Sequence, residues 1–299
     1  MILGQTASGK TSLSIKLAKK FNGEIVSADS RQAYKGLNIG SGKITKKEMQ
    51  GIPHHLLDIA SPKRKFTVAQ FQKLAIKKIK EIQKRGKMPF LVGGTGFYIQ
   101  SVVDGLVIPE VKPNWKLRKQ LEKKPVAELF LMLKKLDPKR AKTIDQNNPR
   151  RLVRAIEIVS ESGKPVLRFA KVGPRNVIAR SDLAKNFVTL QIGIKKSPDE
   201  LKKAIHKRLL KRLKQGMVTE VKRLHKNGLS WKRLEELGLE YRFVAQYIQN
   251  KITYHEMQER IQKESEHFAR RQMTWFKRNK RIYWIINKKE AEKLISKFL

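Results

Sequence analysis

The amino-acid sequence predicts an α/β fold: a parallel sheet core, a helical insertion and an extended basic helical region. Three observations predict it. A glycine-rich phosphate-loop pattern lies at residues 4–11 and runs into a helix. Short apolar runs alternate with amphipathic helices through the first third of the chain. The remainder is largely helical and rich in lysine and arginine. With 299 residues, 40% of them hydrophobic, the chain can bury one large core or two smaller ones. The expected division places residues 1–112 and 184–299 in the core and residues 113–183 in a mainly helical insertion.

Taken in order, Leu13, Leu17 and Phe21 recur at a helical period over residues 12–21. Residues 24–27, 55–59 and 89–92 read as strands. Residues 67–85 between the last two read as a helix stopped by Gly86. Strands joined by helical crossovers imply a parallel sheet covered on both faces. Helices and loops then run from Pro113 to about Asn186. Strand character returns at residues 187–194, residues 198–281 are mostly helical and basic, and residues 282–286 read as a closing strand.

Sixty-seven Lys and Arg against 26 Asp and Glu give a net charge of +41. A polyanionic partner would reward that excess through phosphate neutralisation and counterion release. The same excess could instead be a solvated lysine coat or face a membrane surface. No stretch approaches the roughly 20 apolar residues of a membrane span, so no membrane partner is expected. The chain runs from Met1 directly into the motif without a signal segment, and it has no cysteine. A cytoplasmic location is expected, and a monomer.

Gly4-Gln5-Thr6-Ala7-Ser8-Gly9-Lys10-Thr11 matches GxxxxGK[ST] in full and precedes a helix. Such a loop curls backbone amides around phosphate oxygens at a helix N-terminus. Lys10 adds a mobile charge and Thr11 a hydroxyl for Mg²⁺. Alone, the loop suggests a nucleotide such as ATP. Only Met1 to Leu3 precede it, so the first strand is very short or the native chain begins earlier.

Asp29 follows the strand at residues 24–27, at the carboxyl end that faces the ligand crevice of an open α/β sheet. It could bind Mg²⁺ through water, act as a general base or cap a turn. The strand at residues 89–92 ends in Gly93-Gly94-Thr95-Gly96 with no acid, which argues against routine ATP hydrolysis; Asp58 could imitate the missing acid. The glycines could form a tight turn or admit a substrate beside Thr95. His54 and His55 lack the partners of a metal site and read as a strand entry.

In this order, GQTASGKT, SADSRQAYKGLNIGSGK (residues 27–43), HHLLDIASP (54–62), VGGTGFYI (92–99), NNPRRLVRAIEI (147–158) and RRQMTWFKR (270–278) resemble tRNA dimethylallyltransferases over essentially the whole chain. The resemblance implies a P-loop NTPase-like core and transfer of a dimethylallyl group from dimethylallyl diphosphate. The acceptor would be the N6 amine of the adenosine 3′-adjacent to the anticodon, with diphosphate released. The tRNA anticodon stem-loop and the prenyl donor become the expected partners, and Mg²⁺ the expected cofactor.

The resemblance assigns Asp29 as general base and Thr95 as a contact to the tRNA and the reacting centre, with Lys10 on the leaving diphosphate. Asp29, Ser30, Arg31 and Gln32 match an anticodon-contacting stretch, as do Arg118, Arg150, Arg151 and Arg154. Where the family carries an arginine near the diphosphate, within residues 215–224, Lys222 and Arg223 are the candidates. Gly238, Tyr241 and Arg242 match a further tRNA-contacting stretch loosely. Gln5 stands where the family has proline. Near the C-terminus basic residues interleave with Trp275, Phe276, Tyr283 and Trp284. There Arg271 and Gln272 are the candidates for RNA contact, while the aromatics could stack on bases or lie in the core.

Three rivals remain open at this point: a small-molecule P-loop kinase, an adenylate isopentenyltransferase acting on free nucleotides, and a non-catalytic RNA-binding protein switched by its P-loop. The chain length and charge fit the kinase poorly, and free nucleotides need little RNA-binding surface.

Overall fold

A computed structural model describes residues 1–109, 111–166 and 187–299. Its chain divides into two compact units, Met1–Val103 with Asn186–Leu299, and Asp104–Lys185. The second unit opens at Asp104, ahead of the expected Pro113.

The first unit is built on six parallel strands: β1 (Ile2–Gly4), β2 (Gly23–Ser27), β3 (His54–His55), β4 (Met88–Gly93), β5 (Gln191–Ile194) and β6 (Ile282–Ile285). They lie in the order β3-β2-β4-β1-β5-β6. The short β1 is fully buried between β4 and β5, with Ile2 opposite both Val92 and Ile192. Its three residues also limit its neighbour. The strand expected at residues 187–194 is confined to Gln191–Ile194, because β1 and the four-residue β6 offer partners only there.

The helices of the first sequence half of this unit are α1 (Lys10–Lys20), α2 (Lys46–Met49), α3 (Val68–Lys84) and α4 (Gly96–Val103). Thr67 caps α3 through a reciprocal capping box with Gln70, which fixes its start where the apolar period begins. The strand expected at residues 55–59 shrinks to β3. Leu56 and Asp58 take positive φ of 65° and 54°, which turns the chain out of the sheet, and Asp58 pairs with Lys43 at 2.5 Å.

The second unit carries α5 (Trp115–Leu121), α6 (Val126–Leu136), α7 (Pro138–Ala141) and α8 (Pro149–Ser162). They enclose a core of Leu121, Leu129, Leu133, Leu152, Val153 and Ile156. Back in the first unit come α9 (Pro198–Lys214), α10 (Met217–Lys226), α11 (Trp231–Leu237), α12 (Leu239–Ile248), α13 (Tyr254–Phe276) and α14 (Lys288–Phe298). Helices α9 to α13 share a core that also buries Tyr34 and Leu37 from the segment after β2. Phe276 is buried at the end of α13, as expected for a core aromatic, while Tyr283 is exposed.

Candidate active site

In a parallel sheet the loops after the strands converge on one edge, and here three of them carry chemistry. The loop after β1 is the glycine-rich motif, the segment after β2 carries Asp29, and the turn after β4 carries Thr95. Together with α9, the α11–α12 junction and α13 they line a cleft of about 1160 Å³ formed entirely by the first unit.

On one side stands the phosphate loop, residues 4–9, leading into α1. Lys10 Nζ donates to Gln5 O at 2.6 Å, so the ammonium is held against the loop it serves. Burial, followed by the nearby Arg208 guanidinium, pushes Lys10 down to about 8, while Asp29 works the other way. Ser8 Oγ is buried without a hydrogen-bond partner among the described residues, a polar atom that a phosphate oxygen would satisfy. Thr11 lines the cleft at the first turn of α1. Gln5 has taken a structural task, since its Nε2 donates to Ala269 O on α13 at 3.0 Å. A proline there has no amide to do so.

On the other side, Asp29 Oδ1 accepts from the amides of Arg31 (2.8 Å) and Gln32 (3.3 Å). This turn fixes the carboxylate and leaves Oδ2 without a hydrogen-bond partner among the described residues. Thr95 Oγ1 accepts from Ser30 N at 3.1 Å, which ties the β4 turn to the same segment. Ser30, Arg31 and Gln32 also line the cleft.

Arg208 of α9 was not legible as a site residue. Its guanidinium donates to Thr6 Oγ1 and lines the cleft beside Lys211 and Arg212. Burial lowers it to about 10, which leaves it charged at neutral pH. The loop over residues 38–43 closes this wall. Buried Glu220 accepts from the amides of Asn38, Ile39 and Gly40, and from Tyr241 Oη at 2.9 Å. Arg212 bridges Gly40 O and Glu240. Gly42 has φ 61°, and a Cβ there would lie 1.8 Å from Arg212 Nη2, so a larger residue would have to displace the Arg212 guanidinium.

This geometry joins an anion cradle to a fixed carboxylate across a basic cleft, and similarity to known proteins agrees with it. Residues 32–279 match the family model described as IPP transferase. The chain is similar to a tRNA dimethylallyltransferase of Anoxybacillus flavithermus, 40% identical over 95% of this chain and 88% of that protein. The crystal structure of a tRNA isopentenylpyrophosphate transferase from Bacillus halodurans matches 99% of this chain and 93% of its own, with 34% identity and a TM-score of 0.70. That of a eukaryotic dimethylallyltransferase acting on tRNA matches 95% of this chain and 72% of its own, with 27% identity and a TM-score of 0.78. The chain belongs to the IPP transferase family.

Several residues that the family pattern picks out stand elsewhere than expected. Lys222 and Arg223 lie on the exposed face of α10, outside the cleft, because Val221 and Leu224 turn the other face into the core; on α9, Arg208, Lys211 and Arg212 do line the cleft. Tyr241 is 1% exposed and bonded to Glu220, so it braces the wall from behind. Burial and the Glu220 carboxylate raise its phenol well above the ordinary value. Gly238 and Arg242 line the cleft, as does Arg271. Gln272 is buried, with both ends of its amide bonded inside the protein. Asp58 pairs with Lys43 and does not line the cleft. His55 bonds to Glu24.

In the second unit, Arg118 forks onto fully buried Glu157 with both bonds at 2.7 Å, and Arg154 joins it. Burial works to raise the Glu157 carboxyl, but these hydrogen bonds prevail and hold it below the ordinary value. Arg150 and Arg151 are exposed on α8, the latter 3.5 Å from Asp145.

Proposed function

We propose that the protein transfers a dimethylallyl group from dimethylallyl diphosphate to the N6 amine of the adenosine 3′-adjacent to the anticodon in tRNA. The observation that carries this is the placement of Asp29, held by two backbone amides with one oxygen unengaged, across one cleft from a complete phosphate loop.

The donor's diphosphate sits in the loop, where backbone amides, Lys10 and Arg208 take up the charge that grows on it as the allylic C–O bond breaks. The adenine amine attacks the allylic carbon and forms the new C–N bond, while its proton passes to Asp29. An adenine amine is a poor nucleophile, so close placement is part of the catalysis. Thr95 fixes the Asp29–Gln32 segment through Ser30 and is placed to meet the acceptor nucleotide. The base must leave the anticodon stack to enter the cleft, and basic side chains along the RNA compensate that cost. Arg31, Arg242 and Arg271 supply such charge at the cleft.

Mg²⁺ would suit the Thr11 hydroxyl, a hard oxygen ligand in the first turn of α1 beside the phosphate loop. Among the described residues no group of three His, Cys, Asp or Glu could hold a metal alone, so Thr11 would hold Mg²⁺ only together with the bound diphosphate. When bound, Mg²⁺ neutralises charge on the leaving diphosphate.

Kinase chemistry fits less well, since β4 ends in glycines and Asp58 is tied to Lys43. Free adenylate as acceptor would not use a charge of +41. No helix among the described residues is long and apolar enough to cross a membrane. A tRNA substrate supports a cytoplasmic location, and the proposed active form is a monomer.

The test is incubation with Mg²⁺, dimethylallyl diphosphate and unmodified tRNA, in parallel with AMP as acceptor. Prenylated tRNA adenosine and free diphosphate are the expected products. Prenylation of AMP alone would shift the acceptor to free nucleotides, and ATP-dependent phosphorylation would make the protein a kinase.

A further inference from the structure

Gln272 sits on the cleft side of α13, 7% exposed. Its Oε1 accepts from Thr6 N at 2.7 Å, and its Nε2 donates to Gly94 O at 2.8 Å. Thr6 belongs to the loop that cradles the leaving diphosphate, and Gly94 to the turn that carries Thr95. One amide therefore spans the donor and acceptor sides of the cleft. The approach is close: a Cβ on Gly94 would lie 2.4 Å from Nε2, so glycine is needed for the bond to form. One helical turn earlier, Ala269 O receives the Gln5 side chain, and α13 is fastened to the phosphate loop at two points.

Each end of the amide is held by the protein, and at 7% exposure its one remaining N–H and one remaining lone pair have little open surface on which to meet a nucleobase. We infer that Gln272 is a positioning residue, which sets the spacing between the diphosphate cradle and the Thr95 turn and makes no RNA contact. The role depends on the cleft carrying out prenyl transfer to tRNA.

Two variants test it under single turnover with both substrates saturating. Q272M keeps the volume and removes both bonds. It is expected to slow transfer roughly 10–100-fold, because small misplacements of reacting groups cost that much. Its tRNA Kd should stay within about twofold of wild type, with the same salt slope.

Q272E keeps an acceptor for Thr6 N but sets a carboxylate against Gly94 O. Its rate relative to wild type is expected to rise as the pH falls, because the protonated carboxyl can donate to Gly94 O as the amide does. Lys10, Asp29, Arg208, Glu264 and Arg271 line the same cleft, so wild type and Q272M are measured over the same pH range as references. That recovery keeps the idea falsifiable if Q272M fails to fold.

A weakened tRNA Kd with an unchanged rate at saturation would overturn the role and make Gln272 an RNA contact. Wild-type rates in both variants, or a Q272E ratio that stays flat with pH, would overturn it too. Wild-type protein that makes no prenylated adenosine would sink the underlying function, and the role with it.

Discussion

Lys10 meets opposing demands: burial and Arg208 favour its neutral form, bound diphosphate its charged form. With its ammonium pushed down to about 8, a fraction of the free protein is neutral there at mildly alkaline pH. Binding an anion then draws a proton in. Affinity for inorganic diphosphate should fall as the pH rises from about 8 towards the ordinary lysine value near 10. Calorimetry in buffers of different ionisation enthalpy should register proton uptake over that window, after correction for ionisation of the ligand, and K10M should abolish it.

Asp29 allows a cleaner separation of fold from chemistry. In Asp29→Asn the amide oxygen can still accept from Arg31 N and Gln32 N, so the turn persists while the base is lost. Transfer should drop by about 10²–10⁴-fold, with tRNA affinity held. Both residues were legible because their signals are local: one is a contiguous eight-residue pattern, the other an acid just past a strand. The bonds of Gln272 were not legible, for the opposite reason: its partners Thr6 and Gly94 are distant in sequence.

Helix α9 shows what periodicity withholds. Lysine or arginine stands at 202, 203, 207, 208, 211, 212 and 214, so no charged position stands out. The buried stripe of Leu201, Ile205 and Leu209 fixes the rotation and turns Arg208 and Lys211 to the cleft. R208A should lower kcat/KM for the donor by roughly 10–10³-fold, whereas K222A and R223A on the exposed face of α10 should stay within about twofold. Steady-state kinetics on the three variants decides between the helices.

Behind the wall, Glu220 satisfies three amides and a phenol that lie far from it in sequence. E220A would leave the buried Gly40 amide and Tyr241 hydroxyl without this acceptor, at a cost of about 2–3 kcal/mol. E220Q should cost less. Denaturant unfolding would measure both.

At the scale of the whole molecule, charge and fold divide the arginines of the second unit. Arg118 and Arg154 hold the buried Glu157 carboxylate, and R118A should destabilise that unit by about 1–3 kcal/mol, because the buried carboxylate loses its forked partner and is left with Arg154 and the Asn114 amide. The exposed Arg150 and Arg151 have no such duty. Replacing both with alanine should leave Tm unchanged, weaken tRNA binding and reduce the salt slope by about one per lost phosphate contact. The net +41 was legible from composition, and it points to a polyanion without naming which cations touch it. That sorting needed Glu157, whose burial depends on how α5 and α8 pack.

The central claim is that Asp29 and the phosphate loop together prenylate a tRNA adenosine. Fragment and nucleoside mass analysis of unmodified tRNA, incubated with Mg²⁺, dimethylallyl diphosphate and either wild-type protein or Asp29→Asn, tests it most directly. One added dimethylallyl group on N6 of the adenosine 3′ to the anticodon, present with wild type and lost with the variant, is the expected result. An unmodified tRNA with folded wild-type protein, or equal prenylation by both proteins, would contradict it.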